Sequence, residues 1–260
     1  MRIIISPAKK MNENGDTLGH YQMPHFMKET EQLLAYLRTL SYTELKSIWK
    51  CNDNIAELNY HRIQTMDLYR NLTPAILSYD GIQYSYMSPE VLEGGQLEYL
   101  EEHLNILSGF YGILRPFDGV VPYRLEMQAV LKNWHTNSLY HFWKDSLAGR
   151  LLSGHDCVVN LASKEYSKCI TPYLKKDTAF VTCVFGEIQN EKVIEKGTYA
   201  KMARGEMVRF MAERRIEKIE EVKQFDRLNY TYAKKLSDEK TYVFLKNKQS
   251  GSVLTVRSSG

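Results

Sequence analysis

Two arginines and two carboxylates stand close together in one stretch, LNILSGFYGILRPFDGVVPYRLEM, at residues 104–127. The guanidinium groups of Arg115 and Arg124 can bind phosphate or carboxylate oxygens. Asp118 and Glu126 can either pair with these arginines or serve as general acids and bases. Arg115 precedes a proline, which favours an extended backbone, and Arg124 and Glu126 lie on the same side of an extended chain. The stretch therefore predicts either an internal clamp of ion pairs or one wall of an anion-binding cleft.

A second polar group follows the first apolar run, in ISPAKKMN at residues 5–12. Ser6, Lys9 and Lys10 come directly after a short buried strand. In open α/β sheets, ligands usually bind at the carboxyl ends of the strands. The segment has no glycines, so it is not a phosphate loop. It predicts a ligand contact, with a turn carrying solvated lysines as the alternative.

VVNLASKEY, at residues 158–166, repeats this arrangement. An apolar strand leads to Asn160 and Ser163, and Glu165 begins a helix. Ser163 suits the N-cap of that helix. The amide of Asn160, inside an apolar strand, needs hydrogen-bond partners, so it either fixes a loop or faces a ligand.

A fourth polar group lies on a predicted helix over residues 198–216. At about 100° per residue, its basic residues gather on one side and its apolar residues on another. Those basic residues are Lys201, Arg204 and Arg215, with Arg209 beside them. The sorting suits either phosphate contact or an ordinary solvated face. Gly205, in mid-helix at a cost of roughly 1 kcal/mol against alanine, predicts a close approach by backbone or ligand.

The elements that hold these groups are expected to form one mixed α/β domain over residues 1–246, an irregular mixed sheet surrounded by helices. The strands are predicted at residues 2–6, 81–87, 156–163, 179–188, 191–195 and 241–246. The helices are predicted at residues 28–40, 42–50, 53–70, 73–79, 97–108, 139–151, 165–175 and 198–216. The small, polar tail at 247–260 is predicted to be disordered. The sequence leaves the strand order open.

The helix predicted at 97–108 rests on leucines spaced by three, four and three residues. Gly109 and Gly112 would end this helix. The string LSGFYG is loosely similar to the hairpin of helix-hairpin-helix elements, in which glycines let backbone N–H groups approach DNA phosphates. The pattern therefore predicts a helix-hairpin-helix-like element.

The composition limits the function classes. The 260 residues are 43% hydrophobic and 25% charged, with a formal net charge of +3, so an acidic partner must be met by a local patch. No apolar run approaches the roughly 20 residues that span a membrane, and no secretory signal is visible. Four widely spaced cysteines are typical of reduced thiols in a cytoplasmic protein. The histidines have no metal-site spacing, so a zinc enzyme is disfavoured. No cofactor is expected.

Taken together, these strings resemble the YaaA family of bacterial peroxide-stress proteins. The resemblance spans roughly residues 1–246 and is carried by Ile5–Lys9, Leu107–Met127, Leu139–Trp143, Asn160–Tyr166 and Lys201–Phe210. Lys10 stands where the family usually has threonine, and Phe110 departs from the family's central string.

The resemblance implies a cytoplasmic protein that responds to hydroperoxide and limits intracellular free iron, and hence oxidative damage to DNA. It also implies a single α/β domain with a positively charged cleft that binds DNA. The residues expected at this interface are Lys9, Lys10, Gly109, Gly112, Arg115, Arg124, Lys201, Arg204 and Arg209. The expectation requires that the cations meet on one concave surface and are not each held in an internal ion pair.

Two function classes remain open. One is a module that binds duplex or distorted DNA through its backbone and shape. The other is an enzyme acting on nucleic acid in the same cleft, as a hydrolase or in base processing. Its candidate catalytic residues are Asp118, Glu126 and Glu165 as acids or bases, with Asn160 and Tyr123 to orient a substrate. Direct iron binding is disfavoured because the distinctive strings contain no histidine suited to such a site. The oligomeric state stays open.

Overall fold

The computed structural model describes residues 1–13, 19, 22–132, 134 and 136–247. The described chain forms a single mixed α/β domain, as the sequence predicts. The tail predicted to be disordered lies outside the described residues, apart from Asn247.

The strands are short except for the long ninth strand. They are β1 Arg2–Ile5, β2 Lys10–Met11, β3 Thr73–Pro74, β4 Tyr79–Asp80, β5 Leu104–Ser108, β6 Gly112–Leu114, β7 Gly119–Val120, β8 Cys157–Leu161, β9 Ala179–Gln189, β10 Lys192–Ile194, β11 Tyr230–Tyr232 and β12 Thr241–Lys246.

The helices surround the main sheet. They are α1 Met27–Arg38, α2 Tyr42–Trp49, α3 Asp53–Thr65, α4 Ala75–Ser78, α5 Ile82–Met87, α6 Gly94–His103, α7 Leu139–Trp143, α8 Ser146–Leu151, α9 Lys164–Ser167 and α10 Gly197–Arg214. Short 3₁₀ helices cover Pro89–Val91, Thr171–Tyr173, Ile219–Gln224, Arg227–Asn229 and Lys234–Leu236.

Five parallel strands form the centre of the sheet, in the order β5-β1-β8-β9-β12. Numbered along the chain, these strands run 2-1-3-4-5, which is one of the common orders of doubly wound α/β sheets. β6 and β11 close the two edges as antiparallel strands, and β10 pairs with the end of β9. The chain moves from β1 to β5 on one side and then returns to β8 on the other. The strand order therefore reverses between β1 and β8.

The core lies on both faces of this sheet. Ile3, Ile4 and Ile5 of β1 are all fully buried, because β1 is central and covered on both sides. This burial explains why β1 is a continuous apolar run and not an alternating strand.

The predicted helix-hairpin-helix-like element is not confirmed. α6 ends at His103, and residues 104–108 form β5, which pairs with β1 on one side and with β6 on the other. The helix predicted at 97–108 is therefore wrong beyond His103, although the leucine spacing extends about one turn further. Gly109 and Gly112 lie in a β-hairpin, and both are buried. A Cβ on Gly109 would lie 2.5 Å from the carbonyl oxygen of Leu125, and Gly112 has φ +77°, so packing and turn geometry account for these glycines.

The strand predicted at 81–87 is also wrong, because residues 82–87 form helix α5. α5 packs closely against α10, and a Cβ on Gly205 would lie 2.1 Å from the carbonyl oxygen of Gln83. The close backbone approach predicted at Gly205 is confirmed. α10 itself ends at Arg214, and Arg215 takes a left-handed conformation at its C-cap, so Arg215 does not extend the basic side of the helix.

Two predicted helices are interrupted. The helix predicted at 139–151 divides into α7 and α8, with Lys144 at φ 46° between them. The helix predicted at 165–175 divides into α9 and a 3₁₀ turn that contains Pro172. The strands predicted near 156–163, 179–188, 191–195 and 241–246 are confirmed.

Candidate ligand cleft at the strand-order reversal

A cleft of about 530 Å³ opens at the carboxyl ends of β1 and β8. Because the strand order reverses between these two strands, this is the position at which open α/β sheets usually bind ligands. The lining residues are 6–10, 80–84, 123–126, Ser163, 165–166, Lys201 and Arg204. The segments after β1 and β8 are thus brought together with the end of residues 104–127 and with one side of α10.

Ser6 and Ser163 join the two strand ends. The Ser6 hydroxyl accepts a hydrogen bond of 2.8 Å from the Ser163 backbone N–H and donates one of 3.3 Å to the Ser163 hydroxyl. Ser163 occupies the N-cap position of α9, but its side chain makes no capping hydrogen bond. The predicted N-cap is therefore correct in position only.

Asn160 fixes the loop after β8. Its amide oxygen accepts from the N–H of Ala162 at 3.0 Å, and its amide nitrogen donates to Thr182 on β9 at 3.1 Å. The side chain is buried, and it is absent from the cleft lining. The sequence leaves open whether Asn160 fixes a loop or faces a ligand, and the structure supports the first interpretation.

Arg124, Glu126 and Lys9 form a charge cluster that extends from the wall of the cleft to its mouth. Glu126 Oε1 lies 3.1 Å from Arg124 Nη2 and 3.2 Å from Lys9 Nζ. The side chains of Arg124 and Glu126 are only 10% and 11% exposed, whereas that of Lys9 is 66% exposed. The pairing predicted for residues 124 and 126 is confirmed, and it is located in the wall of the cleft.

Tyr123 connects this wall to the interior. Its hydroxyl lies 2.6 Å from the Ser108 hydroxyl and 2.8 Å from the Tyr79 hydroxyl. Ser108 also accepts hydrogen bonds from the N–H groups of Phe110 and Tyr111 in the β-hairpin. Burial raises the pKa of Tyr123 to about 12, so the hydroxyl stays neutral at physiological pH.

Glu165 supplies a second carboxylate to the cleft. Its Oε1 accepts a hydrogen bond of 3.2 Å from the N–H of Gln128. Burial raises the pKa of Glu165, and the negative charge of Glu126 raises it further. The two glutamates therefore differ in surroundings, since Glu126 has two cations beside it.

The mouth of the cleft carries three exposed lysines, Lys9, Lys10 and Lys201. Lys10 pairs with Asp80, although its side chain is 72% exposed. Lys201 has no ion pair within the described part of the chain. Deeper in, Arg204 donates a hydrogen bond of 3.2 Å to Glu195.

Four of the residues expected at the DNA interface lie elsewhere. Arg115 pairs with Asp118 at 3.2 Å, in a separate small pocket beside β6, and Arg209 pairs with Glu213 at 2.7 Å on α10. Gly109 and Gly112 are buried in the β-hairpin. The cations therefore converge only in part, and most of those that do converge have carboxylate partners. The cleft is not the uninterrupted cationic groove that the sequence suggests.

Asp118 braces the turn that contains Arg115 and does not line the cleft. Its Oδ2 accepts a hydrogen bond of 2.8 Å from the Arg115 N–H, and its Oδ1 accepts one of 3.2 Å from the Arg115 Nε. Burial raises the pKa of Asp118 to about 6, which outweighs the opposite effect of Arg115. The structure thus separates Asp118 from Glu126, which the sequence placed together as candidate acids.

Sequence reasoning missed Gln83 and Tyr84, which line the cleft from α5. The Tyr84 hydroxyl donates a hydrogen bond of 3.1 Å to the carbonyl oxygen of Ser6. The strand predicted at 81–87 gives these two residues no place near the strand ends, so their pattern does not indicate the cleft.

A larger cavity, of about 680 Å³, lies near the ends of β9 and β12. Its lining includes Tyr199, Tyr230 and Lys246, and the Lys246 ammonium lies 3.7 Å from the centre of the Tyr199 ring. None of the predicted site residues lines this cavity. Size alone does not define a site, and the polar residues predicted from the sequence lie in the cleft between β1 and β8.

Metal-binding clusters and membrane-spanning helices are both absent from the described residues. These residues contain no group of three or more His, Cys, Asp or Glu side chains placed to hold a metal ion. None of their helices has the length and apolarity needed to cross a membrane.

The fold and the cleft define a class: a mixed α/β protein with a polar, charge-paired ligand cleft where its parallel strand order reverses. Comparison of the sequence with known families identifies the family within that class. The chain belongs to the YaaA family of peroxide stress proteins, whose family model, described as "Peroxide stress protein YaaA", matches residues 1–236. The resemblance identified from the sequence strings is therefore confirmed.

Bacterial relatives match along nearly the whole chain. A UPF0246 protein of Lachnoclostridium phytofermentans is 60% identical over 250 residues, which cover 96% of this chain and 98% of the relative. UPF0246 proteins of Desulfitobacterium hafniense and Pediococcus pentosaceus are 54% and 52% identical, each over 95% of this chain and 98% of the relative.

Proposed function

We propose that this protein acts in the cytoplasm under peroxide stress and binds DNA through the cleft between β1 and β8. The observation that carries the proposal is the placement of Lys9, Lys10 and Lys201 around one mouth, with Arg124 and Arg204 inside. These cations come from three distant parts of the chain. A concave surface lined in this way raises the local concentration of phosphate groups.

The ion pairs limit the number of phosphates that such a surface can bind. Phosphate must compete with Asp80 for Lys10 and with Glu126 for Lys9 and Arg124. We therefore expect about three phosphate contacts, made by the exposed lysines, and a slope of log affinity against log salt near −3. Contacts to phosphate carry no sequence information, so these lysine contacts recognise the DNA backbone and its shape, whether duplex or distorted.

Salt-dependent binding tests this proposal. The affinity for a fluorescently labelled duplex is measured by anisotropy at several salt concentrations, for the wild type, Lys201→Glu and Lys192→Glu. Lys192 is an exposed lysine on β10 that does not line the cleft, so it controls for net charge. We expect Lys201→Glu to bind more weakly, with a slope smaller by about one, and Lys192→Glu to bind almost as the wild type does. Equal affinities for all three proteins would overturn the proposal.

The family resemblance extends the proposal to iron. We propose that the protein helps to limit intracellular free iron during hydroperoxide exposure, so that less hydroxyl radical forms at DNA. The test is spin-resonance measurement of free iron in peroxide-treated cells that lack the native gene and produce either the wild type or Lys201→Glu. Low iron with the wild type and high iron with the variant would connect DNA binding to iron. Low iron with both would separate the two roles, and high iron with both would overturn the iron role.

A second candidate function is an enzyme that acts on nucleic acid in the same cleft. It is favoured by the two carboxylates, Glu126 and Glu165, of which Glu165 has a pKa raised by burial. A pair of carboxyl groups in unlike surroundings is a common arrangement for general acid–base catalysis. DNA with modified bases or branches is incubated with the wild type and with Glu126→Gln. Product from the wild type alone would support an enzyme, and binding without product would favour the first proposal.

A further inference from the structure

Half of the unpartnered buried polar atoms in the described residues belong to residues that line one cleft. In the described residues, eight buried side-chain atoms have no hydrogen-bond partner. Four of them belong to residues of the cleft: Gln83 Nε2, Arg124 Nε, Glu126 Oε1 and Arg204 Nε. A buried polar atom without a partner costs about 1–3 kcal/mol, so such atoms are rare and call for an explanation. Their concentration on residues that line the cleft points to a polar ligand that supplies the missing partners when these side chains turn toward it.

Glu126 Oε1 is unpartnered in spite of its neighbours. Lys9 Nζ and Arg124 Nη2 lie 3.2 Å and 3.1 Å away, which is ion-pair distance, but neither contact has hydrogen-bond geometry. The oxygen therefore keeps the capacity to accept a hydrogen bond from a ligand. In the same way, Arg204 uses Nη2 to bind Glu195 and leaves its Nε free of a hydrogen bond.

The hydrogen-bonding needs of these four atoms indicate which polar groups the ligand must offer. Three of them, on Gln83, Arg124 and Arg204, are N–H donors that need acceptors. The carboxylate oxygen of Glu126 needs a donor, which a phosphate group cannot supply at neutral pH, and its negative charge opposes a bare phosphate. A nucleotide satisfies both requirements, because its phosphate accepts from arginine and the exocyclic amino group of its base donates to carboxylate.

The volume and the lining of the cleft suit a single nucleotide. Its volume of about 530 Å³ lies within the range of about 300–1,000 Å³ typical of small-molecule sites. Tyr84, Tyr123 and Tyr166 supply aromatic lining. Enzymes that act on DNA bases hold an extruded nucleotide in such a pocket, between aromatic or apolar side chains and with hydrogen bonds to the edge of the base.

We propose that the cleft takes up a single nucleotide that has left the base stack of DNA, with its base donating to Glu126 and its phosphate accepting from Arg124 and Arg204. This inference rests on the proposed DNA binding and names the unit that is bound. Lys9, Lys10 and Lys201 lie at the mouth of the cleft, where the flanking phosphates of the strand pass.

The test compares DNA duplexes that differ only at one position. The affinity of the intact protein is measured for a matched duplex, for the same duplex with one bulged cytosine, with one bulged thymine, and with one bulged abasic sugar. Extruding a paired base costs free energy that a bulge does not require, so we expect the cytosine bulge to bind about tenfold or more tightly than the matched duplex. The abasic bulge has the same backbone without the base and is expected to lose this gain. Thymine has no exocyclic amino group, and its only donor on that edge, N3–H, lies between two carbonyl oxygens that a carboxylate repels, so it is expected to bind more weakly than cytosine.

Two variants separate the parts of the proposal. Glu126→Gln keeps the shape of the side chain but removes its charge, so we expect it to lose the preference for cytosine over thymine. Lys201→Glu is expected to weaken binding to all four duplexes by a similar factor and to keep that preference. Equal affinity for the cytosine and abasic bulges would overturn the inference and leave DNA binding intact. Failure to bind any of the duplexes would overturn the proposed function and the inference with it.

Discussion

The hydroxyl of Ser6 and the backbone N–H of Ser163 lie 2.8 Å apart, although the two residues are 157 positions apart in the sequence. This hydrogen bond joins the chain just after β1 to the chain just after β8. It spans the point where the order of the parallel strands reverses, so it fixes the width of the cleft at its base. The neighbouring bond from the Tyr84 hydroxyl to the Ser6 carbonyl ties α5 to the same point.

Ser6→Ala is expected to destabilise the protein more than Ser163→Ala does. Removing the Ser6 hydroxyl leaves the Ser163 N–H without its acceptor in a half-buried position, at a cost of about 1–3 kcal/mol. Ser163→Ala removes only the 3.3 Å contact between hydroxyls and keeps the bond to the N–H. Urea unfolding of the three proteins measures the difference. Equal destabilisation by the two variants would show that the backbone hydrogen bond is not the dominant contact.

Gly205→Ala is expected to destabilise the protein by roughly 3 kcal/mol or more, since overpacking in a tight core typically costs about 1–3 kcal/mol and backbone atoms here cannot move aside easily. The new Cβ would lie 2.1 Å from the carbonyl oxygen of Gln83, where α10 meets α5. Gly149→Ala is the matched control, because Gly149 also lies in a helix and a methyl group added to it would meet no atom within 4 Å. We expect this control to gain about 0.5–1 kcal/mol. Thermal unfolding measures the stability of both variants. A similar loss of stability in the two variants would contradict the packing argument.

The sequence predicts the polar residues of the cleft better than the elements between them. α10 is recognisable because its 18 residues contain no proline and many good helix formers, such as alanine, methionine, glutamate and arginine. Residues 104–108 are different, because a short apolar run satisfies both helix and strand patterns. Pairing of Ile106 with Ile5 of β1 decides between the two, and this contact joins segments about 100 residues apart. Local periodicity contains no information about such a contact.

The ion pairs of the cleft can be predicted from the sequence only in part. Arg124 and Glu126 are neighbours, so their pairing follows from the two-residue period of an extended chain. Lys10 and Asp80 come together only because β2 pairs with β4. A count of basic residues therefore overestimates the free positive charge of the cleft, because the compensating carboxylates come from distant segments.

The buried thiols of this member of the YaaA family are expected to be inert toward peroxide. Burial raises the pKa of both Cys169 and Cys183 to about 12, so almost no reactive thiolate is present at neutral pH. Mass spectrometry after mild hydrogen peroxide treatment should find both thiols unmodified in the native protein and oxidised in urea-unfolded protein, which serves as the control. Rapid sulfenic acid formation at either cysteine in the native protein would contradict this prediction.

The stability of the protein is expected to carry a pH dependence that originates at Asp118. Burial raises the pKa of this carboxyl in the folded protein to about 6, above its ordinary value of 3.8. The folded state then holds the proton more tightly than the unfolded state does, so the contribution is complete below about pH 4 and is lost as the pH rises to 6 and beyond. The difference between the two pKa values corresponds to roughly 3 kcal/mol.

Asp118→Asn isolates this contribution, because an amide keeps an oxygen that can accept from the Arg115 N–H but does not titrate in this range. The free energy of unfolding is measured by urea titration between pH 4 and 7 for the wild type and the variant. All other carboxyl groups are common to both proteins, so they cancel in the difference between the two curves. We expect the wild type to lose stability relative to the variant as the pH rises, with a midpoint near 6 in a carbon-13 titration of the Asp118 carboxyl. Parallel stability curves and a midpoint below about 4 would mean that Arg115 outweighs burial at this site and keeps the carboxylate charged.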